Sequence, residues 1–274
     1  MTLRLLALLM LCLPHLGQAE PVFDVHVHIR GGEQEVRKYL EQAEAAKLEL
    51  AGFGAIFMAE RGKPAHTREK NDELLALARQ HPGLLPVGSV HPYDGQAAAD
   101  ELARVAGLGM KVVKLHPHTQ QFDAADPRVL EVCRQAGQLG LAVLFDNANI
   151  LPGDSEKLFN LALQAHGTQF VFTHLGGMNF RFWNILPLAR TAEGLLGNNI
   201  NFDISAVMVL MAGSPIEEEF VWTLRNVGID HILLGSDFPQ FTLPQAVAAL
   251  EKLDLSDEEK ARIRYGNARR LFGL

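Results

Sequence analysis

Cysteine is nearly absent from this chain of 274 residues, with only Cys12 and Cys133. No disulfide framework can therefore organise the fold. Basic runs are also missing: 25 lysines and arginines face 32 acidic residues, for a formal net charge of −7. Without a basic stripe, nucleic acid and anionic membrane are not expected as partners. No apolar stretch reaches the about 20 residues that span a bilayer. The sequence has no low-complexity linker and no strict internal repeat. Gly31-Gly32 lacks a further glycine at the spacing of a dinucleotide phosphate loop, which argues against a doubly wound nucleotide-binding sheet.

The first residues are set apart from the rest. Arg4 precedes the apolar core Leu5 to Leu13, Pro14 breaks it, and Gly17-Gln18-Ala19 offers small residues before Glu20. This is the layout of a secretory signal peptide. The expected organisation is a signal peptide over 1–19 and one domain over 20–274. The protein is then exported, to a periplasm or the outside, and free of the membrane once cleaved. Cys12 leaves with the signal, and Cys133 is expected as a packed core thiol.

Apolar runs near 22–29, 53–59, 84–90, 110–115, 141–145, 169–173, 199–204 and 231–235 read as strands. They are nearly continuous in Val, Ile, Leu and Phe, as in a parallel sheet covered on both faces. Amphipathic stretches separate them, among them 35–40, 74–78 and 217–224, and Gly52, Gly109, Gly140, Gly167 and Gly228 mark expected helix ends. Eight strand–helix units of about 250 residues predict an α/β fold, a single (β/α)8 TIM barrel.

In such a barrel the C-terminal strand ends converge on one mouth. Here the runs end in His26 and His28, Glu60, His91, Lys114 and His116, Asp146, His174, Asp203 and Ser205, and Asp237. Strict alternation places Asp24, His26 and His28 on one face of the first strand, with Asp24 orienting an imidazole. A His-x-His pair alone is a weak motif. With His174 and Asp237 at the right strand ends it predicts a divalent metal site. Lys114 is expected to neutralise carboxylates and, like His116, to face the substrate; a structural role for His116 stands beside that. The segments 61–67, 118–125 and 178–183 are the expected pocket walls.

At Asp24-Val25-His26-Val27-His28, Val113-Lys114-Leu115-His116-Pro117, Thr173-His174-Leu175-Gly176-Gly177, Gly235-Ser236-Asp237-Phe238-Pro239 and Asn267-Ala268-Arg269-Arg270-Leu271-Phe272, the chain resembles the amidohydrolase superfamily. The branch is the amidohydrolase-related one, which includes aminocarboxymuconate-semialdehyde decarboxylase-like enzymes. The resemblance implies a metal-dependent enzyme with His26 and His28 as ligands, Asp237 binding metal and handling the proton of an attacking water, and His174 polarising the substrate or shuttling a proton. Asp146 stands where the family commonly has a fifth-strand histidine. As a ligand it adds charge, so that one divalent ion, zinc, has manganese as its alternative. The expected activity is hydrolysis of a small amide, ester or lactone. Non-oxidative decarboxylation of a small carboxylic acid and a non-catalytic exported binding protein are the alternatives. A small molecule is the expected partner, and a homo-oligomer is left open.

Overall fold

The structure, a computed structural model, describes residues 20–192 and 198–274. The signal-like segment 1–19 lies outside the described residues. Eight strands pair in parallel and in sequence order: β1 (Val22–His28), β2 (Leu50–Ile56), β3 (Leu84–Ser89), β4 (Val112–Leu115), β5 (Ala142–Phe145), β6 (Phe170–Phe172), β7 (Ile200–Asp203) and β8 (Ile232–Leu233). Backbone bonds join the last strand to the first. Val25 N–H donates to Leu234 O at 3.0 Å, and His28 N–H to Phe238 O at 2.9 Å. The result is the expected (β/α)8 barrel.

Local chemistry explains the covering helices. Glu33–Ala45 carries Glu33 and Glu35 in its first turn, where they complement the helix dipole, and buries Val36, Tyr39 and Ala43 on one face. Pro127–Gln138 starts on Asp126, whose side chain accepts from Arg128 N–H, and a left-handed Gly140 (φ 73°) follows its end. Cys133 is buried on that helix as expected. Gly52 is not a helix end. It lies inside β2, where a Cβ would come within 2.4 Å of Gly83 O. No helix among the described residues is long and apolar enough to cross a membrane.

The core has two layers. Inside the barrel lie Phe23, Val25, Val87, Val112, Leu144, Val171 and Leu233, closed below by Ala268 and Phe272 of the last helix (Asn267–Phe272). Outside, Val27, Phe53, Val113, Phe145, Phe172 and Phe202 pack against the helices. Fully burying one such side chain stabilises by about 1.5–3 kcal/mol. Asn267 Nδ2 donates to Ile229 O and Ile232 O at 2.7 Å each, fastening the plug to β8. The C-terminal Asn-Ala-Arg-Arg-Leu-Phe piece is therefore structural.

One departure from regular pairing matters for the site. Asp24 pairs with Phe53 but Val27 with Ala55, so β1 holds one extra residue, a bulge. The bulge reverses the alternation. Phe23 and Val25 point inward below it, and His26 and His28 meet in the barrel above it. Asp24 consequently faces the outer layer, contrary to the expectation of one shared face.

Candidate metal centre

His26, His28 and Asp237 form a small triangle. His26 Nε2 lies 3.1 Å from His28 Nε2 and 3.5 Å from Asp237 Oδ1, and His28 Nε2 lies 3.3 Å from Asp237 Oδ1. Ligand atoms about 2.0–2.2 Å from one ion are about 3.0–3.5 Å apart, so the triangle is the size a single divalent cation requires. His174 also brings a ligand atom within 4.8 Å of those of His26 and Asp237. All four residues are buried at the mouth.

The outer contacts aim these rings. His26 Nδ1 is 2.9 Å from Asp203 Oδ2, a carboxylate that can only accept. The ring proton is thereby fixed on Nδ1, and the Nε2 lone pair faces the triangle. His174 Nδ1 is 3.1 Å from Ser205 O and 3.1 Å from Ser205 Oγ, which leaves its Nε2 pointing into the site. Ser205 Oγ in turn donates to Asp203 Oδ1 and lies 3.1 Å from His26 Nδ1. One Asp–Ser pair thus sets both imidazoles. Asp24 bonds elsewhere. Its Oδ1 accepts from the backbone N–H of His26 and Ser236, and its Oδ2 from Tyr39 OH. It holds the loops and not a ring.

Burial and charge divide the histidines. Burial, aided by Lys114, pushes His26 down to about 4 against the pull of Asp203 and Asp237. Burial with Lys114 and Arg30 pushes His28 to about 3. Both are neutral at neutral pH, the form that binds a metal. Burial also disfavours charge on His174, but a hydrogen bond with Asp146 and the charges of Asp203, Asp146 and Asp237 outweigh it and raise His174 to about 9. Burial raises Asp146, yet His174, His116 and Lys114 hold it well below the usual carboxylate range.

Asp146 lies beside the triangle, with Oδ1 3.5 Å from His174 Nε2 and 3.7 Å from His116 Nε2. Lys114 is fully buried under the mouth, its Nζ 3.5 Å from His26 Nε2. Its charge is disfavoured by burial and supported by Asp146, Asp203 and Asp237. His116 accepts from Thr119 N–H through Nδ1, and its segment is held by Gln120, whose Oε1 accepts from His116 N–H. Glu60 is exposed and paired with Lys63. Arg181 pairs with Glu219 at the surface, while Trp183 is core. Neither forms the expected wall; Met178 does.

The family model described as amidohydrolase matches residues 23–274. The chain belongs to the amidohydrolase family. Among solved structures this amidohydrolase-family barrel is similar to a TIM-barrel protein of Bordetella bronchiseptica (15% identity, TM-score 0.72, 92% of this chain and 98% of that one). It is similar to 5-carboxyvanillate decarboxylase from Sphingomonas paucimobilis (15%, 0.68, 93% and 99%). A third is a dihydroxybenzoic acid decarboxylase from Polaromonas with bound manganese (13%, 0.66, 94% and 98%). At such identities the likeness shows the fold alone. No curated protein matches the chain.

Two features of the amidohydrolase-family motifs have local causes. A Cβ on Gly235 would lie 2.9 Å from His26 Cβ and 3.0 Å from Ser205 Cβ, so only glycine lets β8 close against the Asp203–Ser205 cluster. His174 (φ 61°), Ala206 (φ 54°) and Asp237 (φ 63°) are all left-handed without being glycine. Such strain costs on the order of 1–3 kcal/mol each and gathers at working sites.

Proposed function

We propose that this protein is a metal-dependent, non-oxidative decarboxylase of a small carboxylic acid. The observation that carries the reading is a cation-sized triangle of two imidazoles and a carboxylate, with His174 Nε2 beside it 3.5 Å from Asp146 Oδ1. Exchanging a carboxylate for a proton needs an anchor for negative charge and an acid next to it. The names of two structural neighbours, decarboxylases of hydroxylated aromatic acids, agree with it.

His26, His28 and Asp237 would hold the ion, which supplies Lewis-acid polarisation of the bound acid group. Manganese suits the carboxylate-rich surroundings better than the zinc expected from the histidine pair, and the Polaromonas enzyme carries it. His174 keeps a proton at Nε2 and donates it to the carbon that carbon dioxide leaves. Asp146 stabilises that proton; this charge-balancing role replaces the ligand role expected of it. His116, with Nδ1 accepting from Thr119 N–H, carries its proton on Nε2 toward Asp146 and orders the carboxylate. Lys114, buried with its Nζ 3.5 Å from His26 Nε2 on the triangle side of that ring, balances the surrounding acids. Export to a periplasm or the outside is proposed on residues 1–19, and a mature chain beginning at Glu20 would support it.

Hydrolysis of a small amide, ester or lactone is the second reading, favoured by the place of Asp237, where a carboxylate can accept a proton from water. The deciding experiment incubates manganese-loaded protein with hydroxybenzoic acids in heavy water. Carbon dioxide release with deuterium at the vacated carbon supports decarboxylation. Cleavage of esters or lactones without that release supports hydrolysis, and inertness toward both panels supports a binding protein.

A further inference from the structure

Two recesses adjoin the cluster. One, of about 440 Å³, borders His28 and is lined by Arg30, Lys70 and Glu73 beside Phe57 and Met58. The other, of about 250 Å³, borders His174 and Asp237, and the rest of its wall comes from Ala148, Gly177, Met178, Ala206, Val207 and Leu210. We infer that the second recess receives the non-reacting body of the substrate. That body is a single apolar ring without a second charge, and Met178 and Leu210 are its specificity-determining residues. This rests on the reading of the triangle as the metal site.

Size, exposure and charge converge on it. The recess has the volume of about eight waters at ~30 Å³ each, enough for one six-membered ring. Met178 is 61% and Leu210 58% exposed, although both flank a buried polar cluster. Apolar side chains open to water beside a reactive site gain free energy when a ligand covers them. Apart from His174 and Asp237 the wall has no ionisable group, and His174 is already paired with Asp146, so a second carboxylate on the ring would lie against apolar side chains without a cationic partner. The recess at His28 differs in carrying Arg30 and the Lys70–Glu73 ion pair among its apolar side chains, so it can also take a charged or polar group.

The backbone ties this wall to the reacting groups. Met178 ends the left-handed turn His174–Gly177, and a Cβ on Gly177 would lie 2.3 Å from Ala148 O, so the turn packs tightly on the segment after β5. Val207 and Leu210 share one face of the short helix Val207–Met211, launched by left-handed Ala206. The turns that present His174 also place the wall.

The test uses the manganese-loaded full chain and calorimetric titration of oxalate, 2-hydroxybenzoate and 2-hydroxyterephthalate. Oxalate offers the metal two oxygens and no ring; the third probe adds a charge to the ring. Leu210→Asp and Met178→Asp are expected to weaken 2-hydroxybenzoate about tenfold or more and to leave oxalate within about twofold. The wild type should bind 2-hydroxyterephthalate at least about tenfold more weakly than 2-hydroxybenzoate, and Leu210→Lys should narrow that gap. Equal loss of both ring-bearing and ring-free probes, or an unchanged 2-hydroxybenzoate affinity, would overturn the inference. Failure of oxalate alone to bind would count against the metal reading. A Leu210-dependent affinity for 2-hydroxybenzoate would then still uphold the recess, and no binding of any probe would overturn both.

Discussion

The strand ends of β2 and β3 differ in kind from those of β1, β7 and β8, although all carry polar residues in sequence. Glu60 lies four residues past the end of β2, exposed and ion-paired with Lys63. His91 is buried, but both ring nitrogens are used, Nε2 on Gln120 O at 2.7 Å and Nδ1 on Tyr93 N–H at 3.1 Å. At β1 and β8, by contrast, His26, His28 and Asp237 each keep a ligand atom turned toward the others. A strand-end residue becomes part of the site when it points inward and its polar atoms meet those of the other strand ends.

The largest effect should separate the two groups outright. Asp237→Asn is expected to abolish turnover, while Glu60→Gln leaves it within about twofold; steady-state rates on the same acid check both. Asp146→Asn sharpens the division within the site. If Asp146 holds the proton on His174, the variant keeps its manganese and loses about 10²–10⁴-fold in rate. Loss of the ion on dialysis would instead make it a ligand. Asp203→Asn should weaken metal affinity by about 10–100-fold, because the tautomer of His26 is no longer fixed. Competition with a chelator measures this, and His91→Gln should not show it.

The last expected effect is on stability and not on turnover or metal binding. His28 is held near 3 in the metal-free fold against 6.5 for the free side chain, through burial and the charges of Lys114 and Arg30. Below pH 6.5 the unfolded chain binds a proton that the folded chain refuses. Its contribution is therefore complete above 6.5 and falls by about 1.4 kcal/mol per unit as pH drops toward 3. His28→Ala should lose less stability than the wild type between pH 6.5 and 4 in denaturant titrations. An identical slope in both would sink the assignment.

Much of this was legible in sequence for physical reasons. Continuous apolar runs disclosed all eight strands, because both faces of each are buried, and period-two spacing put Lys114 and His116 on one face. The Asp203–Ser205 pair was also within reach, since Asn201, Asp203 and Ser205 alternate with Ile200, Phe202 and Ile204; only their joint grip on two rings needed coordinates. The bulge in β1 was not legible, because an extra residue is set by pairing with β2 and β8 and leaves no mark on local hydrophobicity. It moved Asp24 to the outer layer. The apolar wall was half visible: Met178 fell in an expected segment, but Val207 and Leu210 look like ordinary helix residues until the fold turns them over the mouth.

All of this depends on three side chains from opposite ends of the polypeptide closing around one cation. Elemental analysis after manganese loading and removal of excess ion tests that most directly. One ion per chain in the wild type and none in a folded His26→Ala variant is the predicted result; equal content in both would contradict it.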